Sequence, residues 1–197
     1  MDKVIFLAMS GAKQTMLSQQ AHANNLANIS TTGFKADLEQ ARAMPVFGEG
    51  QPSRVYSMSE RPATDRTSGT LMQTGRSLDI GLQGDTWLAV QAKDGSESYT
   101  RSSELHVSST GALVNGSGLP IYGSGGGPIV LPPYDQIDVG SDGSITILPQ
   151  GSQASDLVVI DQIKLVQLDP QTSYKGVDGL MKVDGGAPLA VDPNGRV

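Results

Sequence analysis

The chain has 197 residues, 38% of them hydrophobic and only 5% aromatic, with 24 glycines, 11 prolines, no cysteine and a net charge of −6. The absence of cysteine excludes disulfides, thiolate catalysis and Cys-ligated metal, and no apolar run reaches the ~18 residues of a membrane-spanning helix. Residues 1–76 hold eight Lys/Arg against six Asp/Glu, whereas 77–197 hold six against fourteen; such a chain lacks the concentrated basic face that nucleic acid requires.

Residues from about Asp2 to Ile29 read as one helix. Ile5, Met9, Ala12, Met16, Ala23 and Leu26 recur at intervals of three, four or seven, and no proline interrupts them. Val4–Met9 after Lys3 is too short for the apolar core of a signal peptide and is read as the helix start. Asp2 suits the N-terminal end of the dipole, Gly33 a left-handed turn that stops the chain, and Lys35 the C-terminal end. At 1.5 Å per residue the helix is about 40 Å long. Ordering so many backbones costs more than six stripe residues return unless the stripe is covered. No second long helix is visible, so the cover is the β region, another chain, or a segment outside these residues.

Residues 36–76 form a second zone. Pro45, Pro52 and Pro62 rule out a helix and favour an extended connector or a long hairpin. Val46, Phe47, Val55, Tyr56 and Met58 are more apolar than a free linker needs, so the segment is expected to dock. From Leu78 the period changes to two. Leu78-Ile80-Leu82, Ile137-Val139 and Ile145-Ile147 alternate, Trp87–Val90 is a short apolar run, and Leu157–Leu168 (LVVIDQIKLVQL) carries the strongest strand signal. Asp94-Gly95, Thr110-Gly111, Asp142-Gly143, Asp178-Gly179 and Asn194-Gly195 mark turns. The expectation is a mainly β chain: an antiparallel sandwich or barrel-like domain (77–197), a long N-terminal amphipathic helix (1–35) and an extended connector (36–76).

A search for chemistry returns little. His22 and His106 are the only histidines, far apart, and no triad assembles around them. Asp135, Asp138 and Asp142 invite a calcium reading, but their spacing is not that of an EF-hand loop. Gly123–Gly127 lacks the following helix and Gly-Lys-Ser/Thr of a phosphate loop and reads as a turn before a strand, PIVLP. Met9, Met16 and Met44 are core or interface fillers. Trp87 is a core residue or, alternatively, a platform for a cell-wall sugar; a glycan hydrolase using two of the many aspartates is a third reading. No catalytic, cofactor or metal residue is assigned.

One stretch remains unusual. Residues 23–36 read ANNLANISTTGFKA, with Asn24, Asn25 and Asn28 crowded at the helix end, although asparagine is a poor helix former. Asn28 or Ser30 capping the last turn explains one of them. An amide face that bonds laterally to a neighbouring backbone explains all three.

At these residues the sequence resembles the flagellar rod, hook and hook-associated axial proteins, whose N-terminal helix ends in NNLAN-x-x-T-x-GFK. Ser10, Gly11, Ala12, Asn24, Asn25, Leu26, Ala27, Asn28, Thr32, Gly33, Phe34 and Lys35 carry the pattern. Thr74-Gly75, Leu78-Asp79, Gly84-Asp85, Tyr99-Thr100-Arg101 and Gly111-x-Leu113-Val114 are similar to the family's β domain. Residues 36–62 and the Gly84-Asp85-x-Trp87 form resemble the proximal-rod members more than the distal-rod or hook ones.

The resemblance implies a non-catalytic structural subunit of the flagellar basal-body rod, located in the periplasm and exported through the type III apparatus without a cleaved signal. It implies helical assembly with self-neighbours and with proximal and distal rod subunits to transmit torque, no cofactor, and no membrane insertion. It places the assembly interface on Met9, Met16, Asn24, Asn25, Leu26, Asn28, Thr32, Gly33, Phe34 and Lys35. Family members also end in a helix with an L-E-x-S-N-V type motif. None precedes the last residues Asp192–Val197, so a shortened form of a family member is expected.

Overall fold

The computed structural model describes residues 4–45, 55–59, 63–153 and 155–197. Asp2, Val46, Phe47, Pro52 and Pro62, which entered the sequence reading, lie outside them. The chain divides into two compact units, Met1–Thr67 and Ser68–Val197. It is mainly β, and every pairing between described strands is antiparallel.

The first unit is built on α1 (Val4–Ala27), whose 24 residues span about 36 Å. The chain then runs through β1 (Asp37–Leu38), β2 (Ala41–Pro45), β3 (Val55–Ser59) and β4 (Ala63–Thr64). β2 and β3 form a hairpin with Met44 opposite Tyr56 and Arg42 opposite Met58. β1 pairs with β4 through Asp37–Thr64 and Leu38–Ala63. The connector thus takes the hairpin alternative, and α1 packs on β3 and β1. Pro45 is tolerated because it is the last residue of its strand.

The second unit continues with β5 (Thr86–Gln91), β6 (Glu97–Thr100), β7 (Leu105–Val107), β8 (Leu113–Asn115), β9 (Tyr134–Val139), β10 (Ser144–Pro149), β11 (Val158–Gln162), β12 (Leu165–Gln167), β13 (Ser173–Lys175) and β14 (Met181–Val183). A five-stranded sheet runs β12-β5-β6-β14-β13, a three-stranded sheet runs β11-β10-β9, and β7 and β8 make a ribbon. Successive side chains of a strand point to opposite faces, and β5 is buried on both. Leu88 and Val90 join a cluster with Ile121, Ile145, Ile147 and Ile163. Trp87 and Ala89 join Tyr99, Tyr122, Val166 and Met181. That is why Trp87–Val90 reads as a continuous apolar run and not as an alternation. The Asp94-Gly95 turn between β5 and β6 places Gly95 at φ 83°, with the Asp94 carboxylate accepting from Ser96 N at 2.9 Å.

Several expectations are corrected. Leu157–Leu168 is two strands in two sheets: β11 pairs with β10 and β12 pairs with β5. The switch falls at Ile163 and Lys164, whose amides bond Gly143 O and Tyr122 O, just after a register shift opposite Ile145/Thr146. Leu78–Leu82 is no regular strand; single bonds such as Ile80 N to Ser103 O tie it down while Ile80 and Leu82 are buried. Residues 128–132 hold only isolated bridges, Tyr122–Pro128 and Ala112–Val130. Gly195 has no positive φ. It sits there because an added Cβ would lie 2.8 Å from the Leu165 side chain.

Candidate assembly surface

The helix exposes the stripe that the sequence picks out. Ile5, Met9, Met16 and Leu26 are 63%, 60%, 69% and 72% exposed, and Ala12 and Ala23 are exposed with them. At about 100° per residue these six lie within one sector roughly 100° wide. The opposite side faces the unit's own strands. Leu7, Ser10, Gly11, Leu17, Ser18, Ala21 and Asn25 are half-buried there, and Gln14 is the only buried residue of α1. Gln14 Nε2 donates to Glu39 Oε2 at 3.1 Å. Docking therefore uses a face of small and polar residues with Leu7 and Leu17 among them, and leaves the Ile5–Met9–Met16–Leu26 stripe open. Sequence reasoning missed this second stripe, although its small residues stand in antiphase to the apolar ones.

The asparagines divide into two roles. Asn25 pairs with the backbone of Asp37: its Nδ2 donates to Asp37 O at 2.8 Å, and its Oδ1 accepts from Asp37 N at 2.9 Å. An amide has one donor side and one acceptor side, so it can occupy the place of a strand partner beside β1. Asn28 closes the helix instead. Its Nδ2 donates to Asn24 O at 2.9 Å and to Asn24 Oδ1 at 2.8 Å, while its own N–H bonds Asn24 O.

α1 ends at Ala27, so Gly33 is not its cap. Gly33, at φ 72°, belongs to the next turn, closed by Phe34 N donating to Thr31 O at 3.1 Å. Lys35 lies too far along to serve the helix dipole, which acts within the last turn. Its Nζ donates to the carbonyls of Arg66 and Thr67. Thr32 and Gly33 are exposed; Phe34 and Lys35 are half-buried. Of the ten predicted positions, Met9, Met16 and Leu26 share the open face, Asn25 is turned inward, and Asn24, Asn28 and Thr32–Lys35 form the turn that ends the surface.

The second unit offers little for chemistry. Trp87 is 2% exposed, its Nε1 donates to Asp85 Oδ1 at 3.1 Å, and the Arg101 guanidinium sits 5.8 Å from the ring centroid. A buried indole covered in this way is no sugar platform. Arg101 itself clamps a loop, donating to Gly84 O at 2.7 Å and Leu82 O at 2.9 Å, and burial holds its pKa below the usual value. Lys164 Nζ lies 2.8 Å from Glu97 Oε1, both side chains being largely buried. Tyr99 OH donates to the same carboxylate at 2.9 Å and accepts from Leu189 N at 3.0 Å. Burial, then the Glu97 carboxylate, raises the Tyr99 pKa well above its ordinary value. Among the described residues no three acidic or histidine side chains group as a metal site, Asp142 being engaged with Ser144. Gly123–Gly127 is a tight turn closed by Gly123 N to Gly127 O.

Two family models match the chain, one within each compact unit. Residues 6–35 match the family "Flagella basal body rod protein", and residues 81–147 match the "Flagellar hook protein FlgE/F/G D1 domain". The chain is 39% identical to the flagellar basal-body rod protein FlgF of Salmonella typhimurium, over all of this chain and 80% of that protein. The same values hold for FlgF of Escherichia coli. Similarity to the rod protein FlgG of Bacillus subtilis is lower, 28% over 77% of this chain and 63% of that protein. At 39% identity over its whole length, with rod-protein and D1 family matches along it, the chain belongs to the FlgF family of flagellar basal-body rod proteins and is a structural rod subunit.

Proposed function

We propose that the Ile5–Met9–Met16–Leu26 face of α1 is the surface by which this subunit joins neighbouring axial subunits of the proximal rod. The carrying observation is that α1 docks through a mostly small and polar side, with Leu7 and Leu17, while the Ile5, Met9, Met16 and Leu26 stripe stays open. Burying each large exposed residue is worth about 1.5–3 kcal/mol. Asn24, Asn28 and Thr32–Lys35 serve the same surface by fixing where the helix ends, and Asn25 by tying the helix to Asp37. Self-neighbours and other rod subunits then stack by head-to-tail contacts that do not close, which builds a helical tube. The tube lies in the periplasm, its subunits pass through the type III export apparatus, and the protein transmits torque without catalysing a reaction. Its relatives' names as rod proteins support this reading.

The test is the double variant Met9→Asp/Met16→Asp in swimming cells. Both side chains are exposed, so stability should change by no more than about 0.5 kcal/mol each, and Trp87 fluorescence should be unchanged. Motility and rod completion should be lost. Normal swimming with normal basal bodies would sink the proposal.

A further inference from the structure

We infer that Met9 and Met16 make the assembly surface sensitive to peroxide: oxidation of these two thioethers blocks subunit joining. The inference rests on the reading of the α1 face given above. The chain has no cysteine, so methionine is its sulfur chemistry. Among the described residues Met181 is buried at 3%, while Met9, Met16, Met44, Met58 and Met72 are at least half exposed. Met9 and Met16 are seven residues apart, two helical turns, and lie on one face about 10 Å from each other. Both flank positions that an incoming subunit must desolvate.

The chemistry is a two-electron oxygen transfer. The sulfur lone pair attacks hydrogen peroxide, the O–O bond breaks, an S–O bond forms, and the second oxygen leaves as water. The product sulfoxide is polar and chiral, and it disrupts Met-rich interfaces until a methionine sulfoxide reductase reverses it. A joined subunit covers both sulfurs. Sensitivity is therefore confined to the window between export and incorporation.

The purified full chain is treated with hydrogen peroxide and mixed with a FlgG-type rod subunit of the same bacterium as probe. Amide hydrogen exchange over α1 and peptide mass spectrometry are then recorded. Met9, Met16, Met44, Met58 and Met72 should each gain one oxygen and Met181 none. Affinity for the probe should fall about tenfold or more, since each sulfoxide must be buried unpaired, and reductase treatment should restore it. The variant Met9→Leu/Met16→Leu keeps size and apolarity; it should bind like the parent and keep binding after peroxide, whereas Met72→Leu should give no such resistance.

Loss of binding by the oxidised Leu variant equal to that of the parent would overturn the assignment to these sulfurs. Full binding by the oxidised parent would overturn the inference and leave the surface reading intact, provided Met9→Asp/Met16→Asp fails to assemble. If that Asp variant assembles normally, the surface reading and this inference fall together.

Discussion

Two segments of similar apolar content meet opposite fates in this molecule. β5, TWLAVQ, is buried on both faces because each face finds its own cluster. α1 carries Val4, Ile5, Phe6, Met9, Met16 and Leu26, all at least 60% exposed. A strand in mid-sheet has neighbours on both sides and layers above and below it. Among the described residues, the strands that pack on the helix are β3 of a narrow hairpin and β1 of a two-residue strand pair, which cover one side. Apolar content thus says how much surface a segment can offer; topology decides whether the chain itself uses it.

The comparison breaks most sharply if the second unit is attacked at its buried ion pair. Lys164→Met leaves the Glu97 carboxylate buried with only the Tyr99 hydroxyl as partner. Removing one member of such a pair costs about 3–5 kcal/mol. Thermal unfolding followed at Trp87 should drop accordingly, while amide exchange in α1 stays as it was. An unchanged melting temperature would mean that the pair is hydrated and adds nothing.

A milder attack on the same cluster is alkaline pH. The folded state raises the Tyr99 pKa above the ordinary phenol value of 10.0, so it favours the neutral phenol. The resulting stability is complete below pH 10 and is lost as pH rises beyond it. At the acid end Asp94, held at about 2 by bonds from Ser96 and then by Lys182, works in reverse. Its contribution is present above pH 3.8 and lost as pH falls towards 2. A pH series of melts that stays flat above pH 10 in the parent, and equally flat in Tyr99→Phe, would remove the phenol from the account.

In the first unit the expected effects are smaller and local. Asn25→Ala removes both bonds to Asp37 and should weaken helix docking by about 1–2 kcal/mol. The readout is faster exchange in α1 and at Asp37, with the second unit's melt unchanged. Gly11→Ala should act in the opposite direction. Its added Cβ meets nothing within 4 Å, and alanine gains up to about 1 kcal/mol over glycine within a helix. Slower exchange in α1 without a change in Trp87 emission is the predicted signature.

Much of this was legible from residue order. The helix, its six-residue stripe, and strands at Ile137-Val139 and Ile145-Ile147 follow from periodicity, and the hairpin option for the connector from its prolines. The left-handed glycines of the Asp94-Gly95, Thr110-Gly111, Asp142-Gly143 and Asp178-Gly179 turns follow from turn chemistry. The split of Leu157–Leu168 did not, since Val, Ile and Leu look alike whichever sheet receives them. Nor did the placement of Gly195, which is a matter of contact with Leu165, a residue 30 positions earlier.

The asparagines mark the boundary between the two kinds of knowledge. By itself the sequence determined that three amides crowd the end of an amphipathic helix, because local spacing fixes which helical faces they share. It also determined the family, because the rod-type helix and the D1 segment occur in order. Only the tertiary structure decided that Asn25 turns inward to Asp37, that Asn28 closes on Asn24, and that Gln14 rather than Met16 faces the strands. An amide's hydrogen-bond partner is set by which backbone arrives beside it. That arrival depends on chain segments 12 and 25 residues away, beyond the reach of any local pattern.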